Sequence, residues 1–198
     1  VEAERYHIIH RDIKPANIMM TSDGVIKLTD LGLAKQISSP SGKSYTLTMD
    51  IMALGTPVYM PPEQARDAKN CDIRSDIYAL GITLYHLVTG RPPFIADNTT
   101  EIFSLHANSN AQSLRELNST VSKELECIII KCIKKAPEDR YQSPKELFED
   151  LMLLKMDRPL KYAAPLSVNA KIAQNKIAEE PEKTAKTFHK KTAVVSGV

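Results

Sequence analysis

Apolar residues recur at three- and four-residue steps through the middle of the chain. From Asp76 onward Ile77, Leu80, Gly81, Leu84, Leu87 and Val88 follow this spacing, which predicts a helix. Gly90 stops it and Pro92-Pro93 follow, a usual exit for a helix. Its apolar residues cover much of the circumference, so it belongs at the centre of a helical core. Ser122 is the expected cap of a second helix carrying Leu125, Ile128, Ile129 and Cys132. Ser143-Pro144-Lys145-Glu146 is a stronger start, with Ser as N-cap, Pro at the first helical position and Glu three residues on for a capping box. The face expected to be buried there is Leu147, Phe148, Leu151 and Leu154.

The first third reads differently. Ile18–Met20 and Val25–Leu28 are short β-prone runs joined by Thr21-Ser22-Asp23-Gly24, which predicts a hairpin with glycine at a turn position of positive φ. From Leu33 to Pro62 the periodicity disappears, and a loop that long is usually functional or disordered. No internal repeats occur. After Asp157 the chain is rich in Lys and Ala and poor in large apolar residues, the composition of a solvated linker. The expected division is therefore a domain over 1–156 and a linker or disordered tail over 157–198.

Composition narrows the function classes. The 198 residues are 42% hydrophobic and 25% charged, globular values that exclude wholesale disorder. The net charge is +2, which gives no case for a nucleic-acid binder working by bulk charge. It is unevenly placed: the tail carries +4 and residues 1–156 carry −2. Three cysteines, Cys71, Cys127 and Cys132, contain no CxxC pair, so free thiols in a reducing compartment are expected rather than disulfides or zinc. The longest mostly apolar stretch, Ile77 to Val88, is too short to cross a bilayer. His7, His86, His106 and His189 show no ligand spacing and read as structural or solvated.

Chemistry concentrates around the hairpin. His10-Arg11-Asp12-Ile13-Lys14-Pro15-Ala16-Asn17 precedes its first strand, and Asp30-Leu31-Gly32 follows its second. A hairpin returns the chain to its starting edge, so Asp12, Asn17 and Asp30 are expected to converge. Two carboxylates and an amide oxygen beside a lysine suit Mg²⁺ and a phosphate.

These residues resemble the protein-kinase family, specifically the carboxyl-terminal lobe of a bacterial eukaryotic-like Ser/Thr kinase. His10-Arg11-Asp12 through Asn17 is similar to the catalytic loop, and Asp30-Leu31-Gly32 to the metal-binding Asp-Phe-Gly motif with Leu in place of Phe. Gly55-Thr56-Pro57-Val58-Tyr59-Met60-Pro61-Pro62-Glu63 resembles the end of the activation segment, and Ser75-Asp76-Ile77-Tyr78-Ala79-Leu80-Gly81 the start of the central buried helix. The resemblance spans roughly residues 4–156. It implies an α+β kinase-like fold, of which this chain is mainly the α-helical lobe with a short β-hairpin at the catalytic loop.

The resemblance also implies roles. Asp12 accepts or orients the substrate hydroxyl proton, Lys14 neutralises the transferring phosphoryl group, and Thr56 bridges the two. Asn17 and Asp30 hold two Mg²⁺ ions on ATP, and Met19 packs under adenine or serves simply as a strand residue facing the core. His10, Leu31 and Asp76 belong to the internal spine and its anchor, and Glu63 pairs with Arg140. Arg11 receives a phosphate from the activation loop, with Thr46 and Thr48 the preferred acceptors.

The implied activity is transfer of the ATP γ-phosphate to protein Ser/Thr hydroxyls, in the cytoplasm, with ATP and Mg²⁺ as cofactors and no nucleic-acid partner. The sequence starts at Val1 and contains no GxGxxG before the catalytic loop. The family's small lobe is thus expected upstream, and the 198-residue polypeptide alone is expected to be inactive and to bind ATP poorly. The tail reads equally as a juxtamembrane linker toward an anchor beyond Val198 or as a tail without a partner. Dimerisation is left open. Two rival readings are a non-catalytic docking module derived from a kinase and a small-molecule phosphotransferase. The long segment ending Gly55–Glu63 favours a protein substrate over the latter.

Overall fold

The computed structural model describes residues 8–30, 35–36, 56–66 and 71–163, all within one compact unit, Val1–Pro165. Its elements are strands β1 (Ile8–Ile9), β2 (Ile18–Met20), β3 (Ile26–Leu28) and β4 (Lys35–Gln36), then helices α1 (Pro62–Arg66), α2 (Ile73–Thr89), α3 (Thr99–Asn108), α4 (Leu114–Leu117), α5 (Lys123–Cys132) and α6 (Pro144–Lys155). Short 3₁₀ turns occupy Pro15–Asn17, Pro57–Tyr59 and Pro137–Asp139.

The predicted hairpin forms. β2 and β3 pair antiparallel with Ile18 opposite Leu28 and Met20 opposite Ile26, and Gly24 takes φ 83° in the turn. Only glycine enters that region without steric cost. A second ribbon was not legible: β1 pairs with β4, Ile9 opposite Lys35, inside the stretch that shows no periodicity. Met19 does not face a core. It is 58% exposed, Met20 is 72% and Ile26 is 62%, so the hairpin presents its apolar residues outward.

α2 begins three residues before the predicted Asp76. Asp72 caps it by accepting the Arg74 N–H at 2.8 Å, and Gly90 closes it at φ 78° with its N–H on the His86 carbonyl, also 2.8 Å. The helix is the hub of the fold. Ile77, Tyr78 and Ile82 pack with Ile128 and Cys132 of α5, Tyr141, and Leu147 of α6. Tyr85 packs with Leu114, Val121 and Ile129 in a second cluster. α5 and α6 start at Ser122 and Ser143, whose hydroxyls accept from Leu125 N at 3.1 Å and Glu146 N at 3.3 Å. The capping box is shifted by one residue, because the Glu146 carboxylate takes the Gln142 N–H at 2.8 Å. Phe148 also departs from the expected buried face: it is 55% exposed while its neighbour Leu147 is buried.

α3 is locked down by polar contacts in an otherwise apolar setting. The Lys135 ammonium donates to the His106 carbonyl at 2.7 Å and sits 4.3 Å from the centre of the Phe94 ring. Burial pushes Lys135 down to about 8. His106 is buried and its Nδ1 shares a hydrogen bond of 2.8 Å with the Tyr78 hydroxyl. Burial, and then the neighbouring Lys135, push it down to about 4 and keep it neutral.

Packed structure runs past the expected end of the domain at residue 156. The buried Asp150 carboxylate accepts the Tyr141 hydroxyl at 2.9 Å and the backbone N–H groups of Lys161, Tyr162 and Ala163 at 2.7, 3.1 and 2.8 Å. Residues 161–163 are thereby folded back onto α6, with Ala163 in the core.

Gly81 marks where α2 and α5 approach most closely. A Cβ there would lie 2.5 Å from Cys132 Cβ and 2.8 Å from Ile133 Cγ2. Gly81→Ala is expected to destabilise the chain by about 1–3 kcal/mol through overpacking, despite alanine's helical advantage of about 1 kcal/mol. Urea unfolding of the two chains measures this, and an equally or more stable variant would contradict the close-crossing argument.

Candidate active site

Two residues beside the hairpin are held in an unusual backbone conformation. Arg11 has φ 68° and Asp30 has φ 62°, a left-handed region that costs a non-glycine residue about 1–3 kcal/mol unless its surroundings enforce it. At Arg11 the enforcement comes from α2. The buried Asp76 carboxylate accepts the His10 N–H at 2.8 Å and the Arg11 N–H at 2.9 Å. Burial raises the Asp76 carboxyl above its ordinary value, and these two peptide donors oppose the rise.

His10 ties the loop to the far side of the hairpin. Its Nε2–H donates to the Thr29 carbonyl at 3.0 Å, while its Nδ1 accepts the Asp12 N–H at 3.3 Å. Asn17 supplies the next link. Its amide NH₂ donates to the Asp12 carbonyl at 2.8 Å and to Asp12 Oδ2 at 3.0 Å. Its own backbone carbonyl accepts the Thr29 N–H at 2.9 Å and the Thr29 hydroxyl at 3.2 Å. Asp12 and Asn17 are therefore in contact, and Asp30 follows directly on the residue bonded to Asn17. The β2–β3 pairing returns the chain to the edge where Asn17 lies.

Lys14 completes the cluster. Its ammonium lies 2.7 Å from Asp12 Oδ2 and donates to Thr56 Oγ1 at 3.1 Å, so one cation joins the catalytic loop to the segment beginning at Thr56. Leu31, Thr46 and Thr48 lie outside the described residues. Met19 is on β2, open to solvent beside this cluster's strand.

The oxygen donors fit a hard divalent cation. The Asn17 amide is oriented by giving its N–H groups to Asp12, and its oxygen accepts no hydrogen bond from the described residues. Among the described residues no three His, Cys, Asp or Glu side chains form a metal cluster, so the fit depends on the carboxamide of Asn17 joining carboxylates. Arg11 is the other open group: its Nε is buried and has no hydrogen-bond partner among the described residues.

Glu63, on α1, and Arg140, which is 1% exposed, fasten the activation-segment end to the helical base. Arg140 Nη1 donates to Glu63 Oε1 at 2.6 Å and Nη2 to Oε2 at 2.8 Å. The remaining donors reach the carbonyls of Arg74, Lys134 and Lys135 at 3.1, 2.8 and 2.9 Å, so all five guanidinium N–H groups are used. The guanidinium also sits 4.7 Å from the centre of the Tyr78 ring. Burial would raise the Glu63 carboxyl, but Arg140 and the Ser75 hydroxyl outweigh it and hold it below the usual range.

One contact had no sequence signal. Gln64, buried beside Glu63, donates its side-chain amide to the Arg11 carbonyl at 3.3 Å. Nothing in a lone glutamine after a Pro-Glu pair announces a partner 53 residues away.

The protein kinase domain model matches residues 4–152. The chain belongs to the protein kinase domain family. Its mostly helical fold with a small antiparallel hairpin corresponds to the larger lobe of a kinase domain, so the chain is a partial kinase domain. It is 37% identical over 152 residues to the serine/threonine-protein kinase PknB of Mycobacterium leprae, covering 77% of this chain and 24% of that protein. It is 40% identical over 153 residues to a probable serine/threonine-protein kinase of Clostridium acetobutylicum, covering 77% and 22%. The kinase chain thus spans about a quarter of the length of the curated relatives it matches. No helix among the described residues of this kinase is long and apolar enough to cross a membrane.

The Glu63–Arg140 geometry makes a stability prediction. Arg140→Met would leave the Glu63 carboxylate half-buried and unpaired, at an expected cost of about 3–5 kcal/mol. Because the folded-state value of Glu63 is lowered, its stabilisation is complete above the ordinary carboxyl value of 4.5 and is lost as pH falls through the lower folded value. Denaturant melts between pH 7 and pH 3 should show the gap between wild type and variant closing toward the acid end. A gap that is absent at pH 7, or that widens with acid, would overturn the pairing argument.

Proposed function

We propose that this chain supplies the phosphoryl-transfer half of a serine/threonine protein kinase that moves the γ-phosphoryl group of ATP to protein hydroxyls. The observation that carries the reading is the cluster in which one Asp12 oxygen meets both the Lys14 ammonium at 2.7 Å and the Asn17 amide at 3.0 Å, inside a chain of the kinase family. Mg·ATP, when bound, supplies the transferable group and the cations that screen its charge. Asn17 and Asp30 are the residues that would hold those cations, and the exposed Met19 would pack against the base.

The chain's own residues account for the rest. Asp12 accepts the proton of the substrate hydroxyl as its oxygen bonds to phosphorus and the bond to the leaving phosphate oxygen breaks. Lys14, already beside Asp12, compensates negative charge on the moving group, a kind of stabilisation often worth several kcal/mol of barrier. Thr56 fixes the Lys14 ammonium by accepting from it, which makes the residue pair sensitive to the placement of the activation segment. Three buried cysteines, none of them in a disulfide, and a dependence on ATP suit a reducing cytoplasmic setting.

Regulation belongs to Arg11. Its buried Nε, without a hydrogen-bond partner among the described residues, can meet a phosphate by charge-assisted hydrogen bonds, and Thr46 and Thr48 are the acceptors proposed to bring one. Phosphopeptide mass spectrometry of active enzyme should find at least one of these threonines modified. Active enzyme with both threonines bare would end that assignment.

The activity test uses the full-length kinase bearing these residues, with radiolabelled ATP and a general protein acceptor. Asp12→Asn and Asp30→Ala are each expected to lower transfer by about a thousand-fold or more, corresponding to roughly 4 kcal/mol of lost barrier reduction. Near-normal turnover in either variant would refute the roles. A wild-type enzyme incapable of transfer to any hydroxyl would favour the docking-module reading instead.

A further inference from the structure

α1 is a five-residue helix, Pro62–Arg66, whose two consecutive polar residues reach in different directions. Glu63 is clamped by Arg140 to the helical base. Gln64, equally part of that rigid turn, is buried and gives its amide to the carbonyl of Arg11. Arg11 is one of the described residues held at positive φ, and its N–H is already taken by Asp76. The strained residue is therefore gripped at both ends, by a carboxylate from α2 on its N–H and by a carboxamide from α1 on its C=O.

The second grip bears directly on the reacting groups. The Arg11 carbonyl and the Asp12 nitrogen share one peptide plane, so whatever fixes that carbonyl also fixes the N–Cα axis from which the Asp12 side chain departs, while Asn17 holds its carbonyl and carboxylate. Without it, the peptide between the two residues keeps one hydrogen bond among the described residues, the Asp12 N–H to His10 Nδ1 contact, which is no shorter than the Gln64 contact at 3.3 Å. A misplacement of about 1 Å at a reacting group can cost on the order of a hundred-fold in rate.

We infer that Gln64 is a positioning residue: through the Arg11 carbonyl it orients Asp12, and through its neighbour Glu63 it makes that orientation depend on α1 being docked on Arg140. The inference rests on the phosphoryl-transfer reading above. It goes further by naming the contact that transmits the placement of the activation-segment end to the catalytic loop.

Two variants test it. Gln64→Met keeps the volume and removes the donor, and Gln64→Glu keeps the shape and replaces the donor with an acceptor that repels the carbonyl. In ¹⁵N spectra of the 198-residue chain, the Asp12 amide should shift in both, while α6 amides stay in place. In the wild-type chain the Gln64 side-chain amide protons should exchange more slowly than those of the exposed Gln112, a measurement that needs no variant. In the full-length kinase, both variants should lower kcat by about ten- to a hundred-fold with KM for ATP within about two-fold, because nucleotide binding does not pass through Asp12. Unprotected Gln64 protons or an unmoved Asp12 resonance would overturn the contact. A moved resonance with unchanged kcat, or a loss confined to KM, would overturn the positioning role. If the wild-type kinase transfers no phosphate, the functional reading fails, while the spectra still decide whether the Gln64 contact exists.

Discussion

The Asp76 carboxylate on α2 holds the whole catalytic arrangement to the core. It is a buried acid with no cation bonded to it among the described residues, satisfied by two adjacent backbone N–H groups at 2.8 and 2.9 Å. Those two donors belong to His10 and Arg11, and Arg11 carries the strained φ of 68°. The desolvation cost of the carboxylate and the strain of the loop are each unfavourable alone. Together each supplies what the other lacks: the loop offers two converging donors only when strained, and the acid is tolerated only when both arrive. This coupling explains why the longest and most enclosed helix, rather than the hairpin, governs where Asp12 sits.

From that anchor, placement spreads through short links. His10 reaches Thr29, Thr29 bonds Asn17, and Asn17 returns to Asp12, a closed ring that joins the entry and exit of the hairpin. Lys14 opens the ring outward to Thr56, and Gln64 attaches its back to α1. Among the described residues the stretch 56–66 thus touches residues 10–17 at the ammonium beside Asp12 and at the peptide behind it. Both contacts depend on the same short stretch, 56–66, which Arg140 fixes through Glu63. A disturbance of the helical base would therefore reach Asp12 and Lys14 without any change in those residues themselves.

What could be read in the amino-acid order was what short-range rules dictate. Thr21–Gly24 sets the hairpin because a four-residue turn with glycine at positive φ leaves the strands one register. Ser122, Ser143 and Gly90 end their helices because caps act within a turn of themselves. The misses share the opposite property. β4 exists because Lys35–Gln36 finds β1, and a two-residue pairing leaves no periodic trace. α3 mixes Ile102 and a buried His106 with polar neighbours, so its inward face includes a residue that reads as polar until Tyr78 and Lys135 surround it. Phe148 was assigned inward by spacing, yet it is exposed, since a 3.6-residue period marks a stripe wider than the contact. Gln64 was invisible because its meaning lies wholly in a partner distant in sequence. The meeting of Asp12 and Asn17 follows from the hairpin, whereas the Lys14–Thr56 contact and the Glu63–Arg140 pair were implied by the family resemblance alone, since spacing offered nothing for them.

The hairpin shows how little local structure is needed to hold chemical groups in place. Met19, Met20, Val25, Ile26 and Leu28 are all exposed, so the ribbon gains little from burial, and a two-stranded ribbon is marginal by itself. Its tip is held by Thr21, which bonds Val25 through both hydroxyl and backbone. Its base is held by Thr29 on the Asn17 carbonyl. Asn17 and Asp30 flank that base, the one part of the ribbon tied through His10 to the α2 anchor. The groups that would hold cations therefore derive their rigidity from the core rather than from the strands between them. That division allows the outer hairpin to present an apolar face without loosening the residues at its root.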